Sequence, residues 1–121
     1  MNEPLDKFGQ FIIENLRDKQ IDNFKGLLEG KWRAKNVKEL QNNLSKFNRD
    51  EKKVIADLVE DILTNTLHDF LFAIQENNDL AIGLKIMMDN ENVAELSDGL
   101  HMEIFDEDGW VKRFSKYKSI Q

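Results

Sequence analysis

The chain has no cysteine, one proline, six glycines and two histidines among its 121 residues. Without cysteine it has no disulfide, no thiol nucleophile and no thiolate metal site, and it suits a reducing compartment such as the cytoplasm. The single proline is Pro4. It fits the first turn of a helix, where the missing N–H would be unpaired anyway. No run reaches the ~18 consecutive apolar residues of a membrane helix. The opening Met-Asn-Glu-Pro-Leu-Asp lacks the apolar stretch of a signal peptide. The expectation is a cytoplasmic protein without membrane contact. Phosphate-binding glycine loops and a Gly-x-Ser-x-Gly elbow are also missing. Two histidines and no cysteine leave few groups for covalent catalysis, so no catalytic residue, cofactor or metal is assigned.

What is present is charge, sorted along the chain. Residues 54–109 carry fourteen acids and one lysine, Lys85, a net of −13. Residues 31–53 carry +5 and residues 110–121 carry +4, while the whole chain is −6. An overall acidic chain is a poor ligand for nucleic acid, whose binding rests on neutralising phosphates. The basic stretch Lys31-Trp32-Arg33-Ala34-Lys35 has the stacking ring that single strands use. Trp32 is read instead as a plug in the helical core.

At this length the chain is one domain, residues 1–121. Its expected fold is α+β. About four N-terminal helices, the last long and central, occupy residues 1–78, and a small antiparallel β-meander of three or four strands occupies residues 84–115. Leu5, Phe8, Ile12 and Leu16, widened by Phe11 and Ile13, mark an amphipathic helix over 4–17. Ile21, Phe24, Leu27 and Leu28 mark a second, stopped by Gly30. Two capping boxes, Asn36 with Glu39 and Asn48 with Glu51, open a short helix and a long one over 49–76.

At 100° per residue the long helix is apolar over about 220°, from Leu58 through Ile55, Phe70 and Leu63 to Leu71. A surface helix needs roughly 100°. The surplus predicts a helix covered on more than one side, with Phe70 in the core. The polar strip left over holds Asp57, Glu60, Asp61, Thr64, Asn65, His68 and Gln75, and one misplaced ring, Phe72.

After Asn78 turn residues recur every eight to ten positions. They divide Leu84–Met88, Val93–Leu96, Leu100–Phe105 and Trp110–Phe114, which read as short strands. Trp110, Phe114, Leu100 and Ile104 are expected in the helix–sheet core. Asp106-Glu107-Asp108-Gly109 fails as a calcium loop: with Gly109 at position six, Ile104 and Ser115 would stand where carboxylates are required. It reads as a hairpin turn with Gly109 at φ > 0.

The leading functional expectation is a small non-enzymatic binding protein of the immunity or inhibitor type. Its acidic face would cover a basic protein partner such as a nucleic-acid-cleaving toxin, because complementary charge steers such association. Asp57, Glu60, Asp61, His68 and Phe72 are the candidate contact residues. One alternative is a metal-assisted hydrolase using His68, Asp61, His101 and Glu103, which requires those groups to converge. Another is a homodimeric structural or interaction module built on Phe72 and the long helix. Within the chain, Lys112, Arg113 and Lys116 are the basic groups best placed to answer the acidic strip.

Overall fold

The computed structural model describes residues 3–117. Helix α1 (Pro4–Ile12) runs through a π-helical turn (Ile13–Asp18) into α2 (Lys19–Glu29). Helices α3 (Lys35–Leu44) and α4 (Arg49–Asp79) follow. Next come two two-residue strands, β1 (Met87–Met88) and β2 (Glu91–Asn92), and two 3-10 segments, Val93–Leu96 and Leu100–Ile104. The short helix α5 (Trp110–Phe114) comes last. The molecule is mostly helical with one small antiparallel sheet, which is α+β in the broad sense.

The expected meander of three or four strands is replaced by a single hairpin pairing Met87 with Asn92 and Met88 with Glu91. Its turn residues, Asp89 and Asn90, both have positive φ, at 53° and 66°, as a type I′ turn requires. The other runs are helical, and the reason lies in their spacing. Leu100 and Ile104 are buried while Met102 between them is exposed. Trp110, Val111 and Phe114 pack inward as i, i+1 and i+4. Spacings of four satisfy both periods, so alternation alone cannot separate them. Local hydrogen bonds favour the helical choice: Asn92 Oδ1 accepts from Ala94 N at 3.1 Å, capping the first 3-10 segment.

Gly109 caps α5 at φ −72°, not the positive φ expected. What it needs is room, since a Cβ would lie 2.7 Å from the Ile104 carbonyl oxygen and the Asp106 backbone. Gly30 does end α2 in the left-handed region, at φ 67°. The Asn48–Glu51 capping box forms in both directions, each hydrogen bond 2.8 Å. The Asn36–Glu39 box does not, because α3 begins two residues earlier with Ala34 at its cap.

The π turn corrects the first helix. With one extra residue in the turn, the buried series runs Phe8, Ile12, Ile13, Arg17, Asp18, Ile21. Leu16, which the α-helical stripe placed inward, and Phe11 are exposed. Trp32 is half-buried over Gly26, where a Cβ would come within 2.3 Å of the indole. Gln41 holds both the N–H and the carbonyl of Trp32, at 3.0 and 2.9 Å.

One core joins the two ends of the chain. Phe8, Ile12 and Ile13 meet Leu67, Leu71 and Ile74 of α4 and Leu100, Ile104 and Trp110 of the C-terminal part. Trp110 is fully buried and edge-on to Phe8, ring centroids 5.9 Å apart. Each such burial contributes roughly 1.5–3 kcal/mol.

Candidate functional site

Helix α4 uses its faces differently from the amphipathic reading. Part of the polar strip is a tertiary contact. Thr64 and Gln75 are buried. The Gln75 amide donates to the Ala94 carbonyl at 3.1 Å and accepts from Leu100 N at 2.9 Å, so it fixes both 3-10 segments. Much of the apolar arc faces outward instead. Leu58 is 55% exposed, Ile62 54% and Phe70 42%, and Val54, just outside the arc, is 68% exposed. Phe70, expected in the core, therefore lies outside it, and the cover expected on more than one side leaves the Leu58–Ile62 part of the arc open.

The five candidate contact residues divide. Asp57, Asp61 and Phe72 are exposed and His68 is half-buried. Glu60 is half-buried, with Oε1 fully enclosed. Of the basic groups expected to answer the strip, Arg113 and Lys116 pair elsewhere, as does Lys7. Arg113 donates to Asp6 at 2.8 Å, Lys116 to Asp22 at 2.8 Å and Lys7 to Asp89 at 2.6 Å. On α4 Lys53 is the only lysine or arginine among the described residues to meet a carboxylate, that of Asp57 at 3.1 Å, and both side chains are well exposed.

Phe72 is accompanied. His101 lies edge-on to it, ring centroids 4.9 Å apart, and edge-on to His68 at 5.3 Å. Phe105 lies 5.8 Å from His68. The second 3-10 segment supplies His101, and the turn after it supplies Phe105. His68 Nδ1 is 3.1 Å from the Asp69 carboxylate, while His101 Nδ1 is buried without a hydrogen-bond partner.

The two histidines thus meet, but the carboxylates of the hydrolase reading do not join them. Glu103 accepts from Ser97 Oγ at 2.6 Å. Asp61 sits two turns before His68, roughly 10 Å along the axis. Among the described residues no three His, Asp or Glu side chains form a metal-binding group. Two serines are also engaged away from the histidines: the Ser97 hydroxyl donates to Glu103, and that of Ser115 donates to Asp18 at 2.7 Å.

A buried charged centre escaped the sequence reading. Arg17 is wholly enclosed. Its Nε donates to Thr64 at 3.0 Å, and Nη1 donates to Ser115 Oγ at 2.7 Å and to the Tyr117 carbonyl at 3.1 Å. Asp18 lies 3.4 Å away. Burial lowers the Arg17 pKa, opposed by the charges of Asp18 and Glu60. Arg17 Nη2 and Glu60 Oε1 remain unpartnered. Asp18 also accepts from Lys116 N at 2.9 Å, and the Tyr117 hydroxyl donates to Asp22. The centre thereby ties residues 115–117 to the first helix. The readable signal was the adjacent pair Arg17-Asp18 inside an apolar repeat, which Leu16 masked by continuing the stripe.

No helix among the described residues is long and apolar enough to cross a membrane. No known family model matches the chain, and neither a curated protein nor a solved structure matches it.

Proposed function

We propose that this chain is a non-enzymatic binding protein of the immunity or inhibitor kind, acting in the cytoplasm, whose acidic α4 face covers a basic protein partner. The observation that carries this reading is where the basic side chains go. Lys7, Arg113 and Lys116 pair with Asp89, Asp6 and Asp22, all off α4. The acidic strip is left to solvent around Asp61, with the 46%-exposed ring of Phe72 beside it. Exposed apolar surface rimmed by charge is the usual form of an interaction site, and unneutralised charge gives it fast, salt-sensitive association.

The test is a low-salt pull-down with the native chain and with Asp57→Ala/Asp61→Ala. A basic protein retained by the native chain and lost by the variant is the expected result. Recovery of no basic protein, or equal recovery by both, overturns the reading.

A further inference from the structure

The outward face of α4 has an order that neither the core nor the acidic strip explains. Val54, Leu58, Ile62, Thr66 and Phe70 follow one another at four-residue spacing, and all are exposed. They form one ridge, because residues four apart are neighbours on a helix. The Thr66 hydroxyl donates to the Ile62 carbonyl at 2.7 Å, so its polar atom is turned back on its own helix. The ridge is about 24 Å long at 1.5 Å per residue. The next row on one flank is Asp57, Asp61, Asn65, Asp69, again all exposed. The other flank, Val59 and Leu63, is half-buried toward the body of the protein.

From this pairing of rows we infer that the ridge receives a basic amphipathic helix, its apolar stripe on Leu58 and Ile62 and its Lys or Arg row against Asp57, Asp61 and Asp69. The inference rests on the acidic-face reading and narrows the partner to one secondary structure and one charge pattern. Helices dock in this manner through anchors at i, i+4 and i+7. Charge selects the occupant. An antiparallel two-fold pair of this ridge with a second copy would bring both acidic rows to the same edge, and like charges so placed repel. A helix with lysines in that position meets the row with opposite charge. The length of the ridge matches about four to five turns of partner helix.

The test uses two labelled 17-residue synthetic helices, one of leucine and lysine and one with glutamate in place of every lysine, titrated by fluorescence anisotropy. The lysine helix should bind saturably at 1:1, and at least 100-fold more tightly than the glutamate helix. Leu58→Ser/Ile62→Ser should weaken it at least tenfold without lowering the melting temperature, since both side chains are more than half exposed. Asp57→Asn/Asp61→Asn should weaken it about tenfold and flatten its salt dependence. Lysine-helix binding that is unchanged in Leu58→Ser/Ile62→Ser overturns the inference and leaves the acidic-face reading standing. A native dimer that Ile62→Ser dissolves also overturns it, because a second copy then holds the ridge. Failure of the lysine helix to bind, together with a pull-down empty of basic protein, removes both.

Discussion

The indole of Trp110 lies directly against the backbone of Gly9, so close that a Cβ on residue 9 would stand 2.4 Å from the ring. The glycine is therefore a spatial requirement of α1, and the close contact couples the first helix to the last. Gly9→Ala should destabilise by about 1–3 kcal/mol or more through overpacking, and Trp110→Ala by about 3–5 kcal/mol through the cavity it leaves. Because the two residues share one space, the Gly9→Ala/Trp110→Phe double variant should cost less than the sum of Gly9→Ala and Trp110→Phe made singly, a cycle of four proteins with the wild type. Urea denaturation of the four proteins measures this. A fully additive cycle would contradict the contact.

Adjacent phenylalanine and leucine on α4 should behave in opposite ways. Phe70 is 42% exposed, while Leu71 is wholly buried. Phe70→Ala should cost under about 1 kcal/mol, near the range of surface changes. Leu71→Ala should cost about 2–5 kcal/mol. Thermal melts of the two variants decide it, and equal losses would show that the helix is rotated from the position described.

Gln75 is the polar group on which the irregular C-terminal half depends. Gln75→Ala leaves the Leu100 N–H and the Ala94 carbonyl without their side-chain partner. An orphaned buried group costs about 1–3 kcal/mol. The loss should appear first as faster amide exchange across 93–104, before any change in the exchange of α4 itself.

The single tyrosine makes the C-terminal attachment directly observable. Donation to the Asp22 carboxylate pushes the Tyr117 pKa from 10.0 up to about 12. Hydrogen bonds from Lys116 and then Tyr117 hold Asp22 below its ordinary 3.8. The raised tyrosine contributes stability that is complete below pH 10 and lost as pH climbs through about 12. The depressed aspartate contributes stability present above about pH 4 and lost as pH falls through its folded value. Phenolate absorbance should titrate near pH 12 in the native protein and nearer 10 in Asp22→Asn. Coincident curves would contradict the contact.

The helices were legible because their signals were redundant: Pro4, Gly30 and the Asn48–Glu51 box each agree with the apolar period beside them. The C-terminal half was not, because Leu100 with Ile104 and Trp110 with Phe114 satisfy a period of two and a helical turn equally. The site was legible in composition and misread in orientation. The width of the α4 arc implies burial, yet Leu58, Ile62 and Phe70 stay outside while Thr64 and Gln75 of the polar strip go in. Pattern width reports how much apolar surface a helix owns, not who covers it. His68 and His101 come together through the 3-10 segment that presents His101, which the strand reading could not foresee.

The π turn at Ile13–Asp18 has one more consequence, in terms of chain length. It is a phase shift of one residue in an otherwise continuous rod, and it is what brings Arg17 inward where Leu16 would have been. Excising one residue there, Asn15 for example, would restore an unbroken α-helical phase. Arg17 would then stand four positions after Ile12, still on the inward face toward Ser115 and Thr64, so the deletion would remove the wide turn and keep the charged centre. The wide turn thus lets the rod carry one residue more than an α-helix would between Ile12 and Arg17 while both stay buried.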